Sequence, residues 1–184
     1  MNWTPIETDR LILRPLILQD TKQFHEILQD FEVSRNLQHV PHPFEFGEAM
    51  KMVREFSGSL KNYRFAAISL MVEPEKLIGT ASFGPIPNSN DPEMGYWLGR
   101  EHWNQGYMSE AGSKLIEVAF TDCGAKCLRS GFWNPISGRL LKKWGFLKVG
   151  SRNNLCRATQ TVVTEQRVLL TLKDWLAEEK GRAV

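Results

Sequence analysis

The sequence predicts an α+β protein with a mixed, mostly antiparallel sheet flanked by helices. Three β-leaning segments in the middle of the chain are separated only by short turns, which indicates an antiparallel meander. Segments with helical periodicity lie before the meander, and further ones alternate with strands after it. The 184 residues contain no internal repeat or low-complexity tract that would mark a linker, so we expect a single domain over residues 1–184.

The first half of the chain predicts a strand, a helix, a loop and a second helix, at residues 11–18, 20–31, 33–46 and 50–56. Arg14 and Pro15 interrupt the first apolar run, as in an edge strand that ends at the proline. Asp20 and Gln23 have the spacing of a capping box for the first helix. Prolines in the third segment favour a loop there.

Strands and helices alternate in the second half of the chain. The meander is predicted at residues 63–72, 76–83 and 93–98. The later elements are a helix, a strand, a helix, a long β-leaning run and a short charged helix, at residues 106–122, 126–133, 137–144, 162–172 and 173–179. One β-α-β crossover follows the meander, so one pair of strands is expected to be parallel.

The composition indicates a globular protein without a nucleic-acid or membrane partner. Hydrophobic residues make up 42% of the chain, charged residues 24%, and the net charge is only +2. Basic residues form no stripe with interleaved aromatic residues, as they do in nucleic-acid binders. The longest apolar run is too short for a bilayer, and the N-terminus lacks the pattern of a secretory signal. We therefore expect a cytoplasmic protein, as a monomer or homodimer.

The histidines and cysteines do not predict a metal site. His39 and His42 lie among prolines and have no evident third ligand. The three cysteines are Cys123, Cys127 and Cys156, and no second Cys/His pair stands at zinc spacing. Reduced, partly buried thiols are the favoured interpretation, and no metal is expected.

Gly106 stands at the predicted start of a long amphipathic helix, within the segment REHWNQGYMSEAG. A helix N-terminus offers unpaired N–H groups and the positive end of the helix dipole, so it attracts anions. A glycine there lets the backbone approach a phosphate closely. The preceding strand ends near Leu98, where sheets of this kind bind ligands. One glycine alone does not separate a phosphate site from an ordinary packed helix.

Four segments in the second half of the chain carry a family resemblance: Glu93-Met-Gly-Tyr-Trp-Leu-Gly99, Trp103-Asn-Gln-Gly-Tyr-Met-Ser-Glu-Ala111, Asn134-Pro-Ile-Ser137 and Lys143-Trp-Gly-Phe146. In sequence and in order, they resemble the GNAT superfamily of N-acetyltransferases. The similarity begins at Glu7-Thr-Asp-Arg-Leu-Ile-Leu-Arg14 and extends to Asp174-Trp175. It is closest to the branch that includes the ribosomal-protein N-terminal acetyltransferases. The resemblance implies a GNAT-like acyl-CoA N-acyltransferase fold and acetyl-CoA as co-substrate, but no particular acceptor.

In the family that this chain resembles, a loop and helix start hold the pyrophosphate of acetyl-CoA through backbone N–H groups. The residues implied here are Asn104, Gln105, Gly106, Tyr107 and Met108, with Ser109 adding a hydroxyl. Asn104 stands where glycine is frequent, and asparagine tolerates left-handed backbone geometry. The family prefers Gln or Arg at Trp103 and Gly or Ala at Met108, so the bulkier methionine is expected to weaken cofactor binding.

Further contacts with acetyl-CoA are expected outside that loop. The resemblance places Asn134 against the pantetheine arm. Arg139 has the reach for a phosphate, although a helix arginine that faces solvent is an equal alternative. The oxyanion of the reaction would be met by a backbone N–H near Leu98, where the strand diverges from its neighbour.

Glu93 and Ser137 are the candidate catalytic residues. Acetyl transfer needs a neutral amine, and a carboxylate is a suitable base for an α-amine, whose ordinary pKa is about 8. The resemblance places a catalytic glutamate at Glu93; a solvated charge at a strand end is the alternative. It makes Ser137 a proton donor to the thiolate, although capping of the next helix also explains this serine. The tyrosine that many family members use falls on Leu141, so Ser137 or water would serve.

Three functions remain open from the sequence. The first is an acetyl-CoA-dependent N-acetyltransferase that acts on a primary amine, such as a peptide or protein N-terminus, by direct attack in a ternary complex. The second is a small-molecule amine acetyltransferase of the aminoglycoside-modifying type, which an acidic acceptor pocket would favour. The third is a non-catalytic acyl-CoA-binding regulatory domain, suggested by the missing tyrosine and by Met108.

Overall fold

The computed structural model describes residues 3–57, 64–85 and 91–182, and only the backbone of residues 179–182. Its strands are Ile6–Glu7 (β1), Leu11–Pro15 (β2), Arg64–Leu70 (β3), Gly79–Pro85 (β4), Pro92–Leu98 (β5), Cys127–Phe132 (β6), Leu147–Cys156 (β7) and Thr161–Thr171 (β8). Its helices are Thr21–Leu28 (α1), Phe31–Ser34 (α2), Phe46–Ser57 (α3), Tyr107–Thr121 (α4), Pro135–Lys143 (α5) and Leu172–Arg182 (α6). The strands form one sheet in the order β1-β2-β3-β4-β5-β6-β8-β7.

The pairing of β5 with β6 creates an opening in the sheet. This pair is parallel and the other pairs are antiparallel, as expected where α4 connects two strands in a crossover. Among the described residues, β5 and β6 match only at Glu93 and Arg129. On its other side, β5 pairs with β4 over its whole length. The two parallel strands therefore separate beyond Glu93, toward the carboxyl end of β5.

Hydrophobic cores cover both faces of the sheet because its central strands are apolar on both sides. In β3, Ala66 and Ile68 belong to a cluster that includes α4 and α5. Phe65 and Ala67 belong to a second cluster, with α1 and α3. This alternation follows from the two-residue period of a strand. The helices α4 and α5 therefore pack on one face of the sheet, beside the opening between β5 and β6.

The predicted elements occur in the predicted order, and their ends differ by a few residues. The strand β1 and the short helix α2 were not predicted, and α2 overlaps the start of the predicted loop at residues 33–46. The first meander strand was predicted from Tyr63, which lies outside the described residues. The strand at Leu11–Pro15 is not the edge strand, because β1 pairs with it on the outside. The long polar strand β7, with Asn153 and Asn154, was not assigned bounds from the sequence because it lies at the sheet edge and is largely exposed.

The predicted capping box at the start of α1 is wrong, because other contacts engage both of its side chains. Asp20 accepts two hydrogen bonds from the guanidinium of Arg14 at 2.8 Å and one from the amide of Ile17 at 2.9 Å. The side-chain oxygen of Gln23 accepts a hydrogen bond from the amide of Leu77. The Asp20 backbone is also helical rather than extended, which does not suit an N-cap.

Candidate active site

The turn before α4 is formed by two residues in the left-handed region of backbone space. Asn104 has a φ of 60°, and Gly106, the N-cap residue of α4, has a φ of 80°. This confirms that asparagine takes a left-handed geometry here, which glycine adopts freely. Among the described residues no side chain caps α4 at Gly106. The first N–H groups of the helix are therefore available to an anion. We call residues 104–109 the cradle.

A groove of about 250 Å³ begins at the cradle and lies between the end of β5 and the starts of α4 and α5. The predicted site residues that line it are Leu98, Asn104, Gly106, Tyr107, Met108, Ser109, Asn134 and Ser137. Its wall is mainly apolar beyond the cradle, where Ile136 and Leu140 of α5 contribute. An anion site followed by apolar walls suits a pyrophosphate with a long, uncharged arm.

Two predicted cofactor residues do not line the groove. The side chain of Gln105 donates to the carbonyl of Glu101 at 2.7 Å, so its contribution to the cradle is limited to its backbone. Arg139 is exposed on α5 and is absent from the lining. Lys143, at the other end of α5, donates to the hydroxyl of Ser109 at 2.9 Å. This lysine brings a positive charge to the cradle, and the sequence did not single it out because the contact spans two helices.

A second cavity of about 170 Å³ adjoins the groove. The two share five lining residues, which are Asn36, Leu37, Tyr96, Asn134 and Ser137. Glu93 lines the second cavity only, together with Glu165 and His39. Ser137 thus lies on the wall that the groove and the second cavity share, which we call the common wall. Glu93 lies on the side of the second cavity.

The carboxylates of the second cavity are engaged by arginines. Both oxygens of Glu93 accept from Arg167, at 2.8 and 3.0 Å, and this hydrogen bonding raises the pKa of the guanidinium above its ordinary value. Glu165 is buried and accepts from Arg167 at 3.3 Å, from Asn154 at 2.8 Å and from Arg152. We call Glu93, Arg152, Glu165 and Arg167 the ionic network; its two negative and two positive charges balance.

Tyr96 lies where the groove and the second cavity meet. Its hydroxyl donates to the backbone carbonyl of Ser137 at 3.4 Å, and its ring packs edge-on against Trp144 at 5.3 Å between centroids. Burial raises the pKa of the Tyr96 phenol. The indole N–H of Trp144 in turn donates to the carbonyl of Ser109 at 3.3 Å. Sequence reasoning assigned no role to Tyr96, which shares a face of β5 with Met94 and Leu98.

Asn134, not Ser137, caps α5. The Asn134 side-chain oxygen accepts from the amide of Ile136 at 2.8 Å, and Pro135 occupies the first helical position. The Asn134 amide also donates to Asn36 at 2.8 Å. The alternative role for Ser137 as a cap is therefore wrong, because the helix begins two residues before this serine. Within the described ranges, no hydrogen bond engages the Ser137 hydroxyl.

The remaining sequence candidates lie at or away from the cavities. His39 lines the second cavity, whereas the ring of His42 packs on Phe31 at 5.0 Å. In the parts of the chain that are described, no three His, Cys, Asp or Glu side chains are placed to bind a metal ion together. The described helices include none with the length and apolar character needed to cross a bilayer. Burial, with a hydrogen bond to Asp91, raises the pKa of the Cys127 thiol to about 11.

Comparisons with known proteins identify the family of this chain. Residues 10–147 match the family described as an acetyltransferase (GNAT) domain. The chain is 32% identical over 148 residues to the N-acetyltransferase p20 of Bacillus licheniformis, covering 78% of this chain and 82% of that protein. It is 30% identical over 154 residues to the N-acetyltransferase YoaA of Bacillus subtilis strain 168, covering 79% and 84%.

Solved structures share the fold. A GNAT-family acetyltransferase from Bacillus anthracis matches with a TM-score of 0.78 and 19% identity, over 91% of this chain and 98% of that one. A ribosomal-protein-S5-alanine acetyltransferase from Vibrio fischeri matches with a TM-score of 0.78 and 17% identity, over 94% and 99%. The microcin C7 self-immunity acetyltransferase MccE, solved with acetyl-CoA and AMP, matches with a TM-score of 0.72 and 16% identity, over 90% and 94%. The chain therefore belongs to the GNAT family of acetyltransferases, enzymes that use acetyl-CoA.

Proposed function

We propose that this enzyme acetylates the α-amine at the N-terminus of a peptide or protein, by direct attack in a ternary complex. The observation that carries the proposal is the junction of the groove and the second cavity at Tyr96, Asn134 and Ser137. A thioester at the end of the groove and an amine in the second cavity would meet there without a covalent enzyme intermediate.

The groove is the proposed site of acetyl-CoA. The backbone of the cradle would bind the pyrophosphate, and Lys143 beside Ser109 would add a positive charge. The apolar wall formed by Met108, Ile136 and Leu140 would cover the pantetheine arm. Asn134 would contact the same arm through its side-chain amide, which donates a hydrogen bond to Asn36.

The charge of the second cavity argues against an aminoglycoside as acceptor. Such a molecule carries several ammonium groups, and its recognition calls for an excess of negative charge. Here Glu93 and Glu165 are balanced by Arg152 and Arg167. The cavity volume of about 170 Å³ suits one terminal residue better than several sugar rings. Among structures with this fold, the Vibrio fischeri protein is described as acting on an alanine of ribosomal protein S5, which accords with a peptide acceptor.

The chemistry needs one proton acceptor and one proton donor. Glu93, directly or through water, would take a proton from the amine as its nitrogen forms a bond with the thioester carbon. The carbon–sulfur bond then breaks, and the departing thiolate receives a proton from Ser137 or Tyr96, both of which line the common wall. A backbone N–H near Leu98 would stabilise the oxyanion between these steps.

Thiol release across an acceptor panel tests the proposal. The panel contains peptides with free N-termini, the same peptides with blocked N-termini, small primary amines and aminoglycosides. Release with free peptides and none with blocked peptides would support the α-amine; release with aminoglycosides alone would contradict it. Thermal stabilisation by acetyl-CoA without any release would favour the non-catalytic binding domain.

Substitution of Glu93 separates binding from chemistry. Glu93→Gln should lower kcat by about 10²- to 10⁴-fold, since it removes the proposed base. The same variant should keep the thermal stabilisation by acetyl-CoA, because Glu93 lies outside the groove. Unchanged turnover would remove Glu93 from the mechanism.

A further inference from the structure

The segment Glu7–Arg14 belongs to the family resemblance, yet the proposed mechanism gives it no role. Two of its side chains, Thr8 and Arg10, reach the first turn of α4. They come from the connection between β1 and β2, about a hundred residues earlier in the chain. Such a contact fixes the start of α4 from outside its own sequence neighbourhood.

Arg10 contacts two groups of the cradle and the carboxylate of Glu110, the residue that follows the cradle. Its guanidinium donates to the carbonyl of Gln105 at 3.0 Å and to the carboxylate of Glu110 at 2.8 Å. The same guanidinium lies over the ring of Tyr107, 4.6 Å from its centroid. A Cβ placed on Gly106 would lie 3.3 Å from the guanidinium nitrogen Nη2, so the arginine closely follows the turn.

Glu110 is the residue on which these contacts converge. It accepts from the Thr8 hydroxyl at 2.6 Å and from the backbone amide of Arg10 at 2.9 Å, in addition to the guanidinium. Burial alone would raise its pKa, but these hydrogen bonds hold the pKa of Glu110 below the ordinary value. The carboxylate therefore stays charged at neutral pH and keeps its partners.

The turn before α4, which these contacts hold, has an unfavourable backbone conformation. Asn104 occupies the left-handed region, which disfavours residues with a side chain, and it stands one residue before the carbonyl that Arg10 holds. If the turn relaxed, the N–H groups of the cradle would no longer converge on one anion.

We propose that Thr8, Arg10 and Glu110 form a clamp that keeps the cradle in the conformation that binds acetyl-CoA. Arg10 is then a positioning residue, which acts through Gln105 and Tyr107. The inference rests on the proposed location of acetyl-CoA in the groove. It gives a role to Glu7–Arg14, the N-terminal segment of the family resemblance: this segment sets cofactor affinity by holding the cradle, without itself contacting the cofactor.

Direct binding of a cofactor phosphate by Arg10 is the competing explanation, and Glu110 separates the two. If only charge mattered, removal of the Glu110 carboxylate from beside a bound pyrophosphate would tighten cofactor binding. The clamp predicts the opposite sign, because the same substitution releases Arg10 and Thr8. Arg10→Lys divides the explanations again, since lysine keeps the charge but cannot hold Gln105 and Glu110 together.

The test measures the dissociation constant of coenzyme A by calorimetry, and kcat at saturating acetyl-CoA. In Glu110→Gln, Arg10→Gln and Arg10→Lys, the dissociation constant should rise about tenfold, as when only a tenth of the molecules hold the competent cradle. At saturation, kcat should stay within about twofold of the wild type because the cofactor itself then selects that conformation. Thr8→Val, which removes one hydroxyl, provides a milder variant if the others fold poorly.

Glu117→Gln is the matched control, since Glu117 lies on the same helix and pairs with Lys114 at 2.8 Å without contacting the cradle. Coenzyme A should bind this variant as it binds the wild type. Tighter or unchanged binding in Glu110→Gln, or full binding in Arg10→Lys, would overturn the clamp. If Gly106→Val loses coenzyme A binding while the clamp variants bind normally, the clamp is overturned but the proposed cofactor site at the cradle is retained. Wild-type binding in Gly106→Val would overturn the proposed cofactor site and the clamp together.

Discussion

The carboxylate of Glu93 accepts two hydrogen bonds from the guanidinium of Arg167, at 2.8 and 3.0 Å. The pair joins β5 to β8 although β6 lies between them in the sheet. Arg167 stands opposite Gly131 of β6, and a side chain on that glycine would overlap Glu165. The missing side chain therefore leaves room for the ionic network that lines the second cavity.

Arg167→Lys should impair catalysis more than cofactor binding. A lysine supplies a point charge in place of two parallel donors, so the Glu93 carboxylate would lose its fixed orientation. We expect kcat to fall about tenfold or more, with the dissociation constant of coenzyme A unchanged. Arg129→Lys is the matched control, because Arg129 pairs with Asp91 at 2.8 Å away from the groove. Equal losses of kcat in both variants would contradict an orienting role for Arg167.

Gly112→Ala should destabilise the fold, because a Cβ at this position in α4 would overlap the indole of Trp144. The indole is buried between α4 and Tyr96, so it has little room to move. The expected loss in free energy of unfolding is about 1–3 kcal/mol, measured by urea denaturation.

Gly47→Ala provides the comparison for Gly112→Ala. Gly47 is also helical, but a Cβ there would meet nothing within 4 Å. Alanine should leave the free energy of unfolding unchanged or raise it by about 0.4–1 kcal/mol, through the unfolded state. A loss as large in Gly47→Ala would contradict the overlap with Trp144 as the cause, because alanine at Gly47 meets no neighbour and has the higher helix propensity.

Local patterns predicted the features that local physics controls. Helical periodicity located α4, and the glycine and asparagine of the cradle matched the left-handed geometry that they adopt. The short turns of the meander gave the antiparallel pairs β3–β4 and β4–β5, and the crossover gave the parallel pair. The resemblance then placed Ser137 and Asn134 at one groove, which periodicity alone does not indicate.

Contacts between distant residues were not predictable in the same way. Glu110 and Arg10 are separated by 100 positions, and Glu93 and Arg167 by 74, so no local pattern marks these pairs. The failed capping box has this cause only in part. The Gln23 side chain accepts from the amide of Leu77, 54 positions later, whereas Asp20 accepts from Arg14, six positions before it. For Asp20, a buried pair with a guanidinium takes the place of the cap.

Asn134→Ala should lower both stability and cofactor affinity. Loss of the cap on α5 is expected to cost about 0.5–2 kcal/mol in the free energy of unfolding. The KM for acetyl-CoA should rise as well, because the side chain lines the groove. Asn36→Ala, measured in parallel, keeps the cap but removes the 2.8 Å contact between the two amides and the 2.7 Å hydrogen bond from Asn36 to the carbonyl of Glu32. A stability loss in Asn134→Ala that is no larger than that in Asn36→Ala would contradict the cap as the main source of the stability that Asn134 provides.

Tyr96→Phe and Ser137→Ala together identify the proton donor to the thiolate. The variant that removes the donor should lower kcat by about 10²-fold or more, while the other should change it only slightly. Both residues line the common wall, so the dissociation constant of coenzyme A serves as the control for binding. Small effects in both variants would leave water as the donor.

The alkaline limit of stability should depend on Tyr96. Burial raises the pKa of this phenol in the folded protein, whereas an exposed tyrosine in the unfolded chain has a pKa of about 10. Below about pH 10 the neutral phenol therefore makes its full contribution to stability. Above that pH the unfolded chain releases the proton first, so the free energy of unfolding falls. Tyr96→Phe has no proton to release at this site. Its free energy of unfolding, relative to that of the wild type, should thus increase between about pH 9 and pH 11, as measured by urea denaturation at each pH. A constant difference across this range, which loss of the 3.4 Å hydrogen bond to Ser137 would give, contradicts a raised pKa of the phenol at the junction.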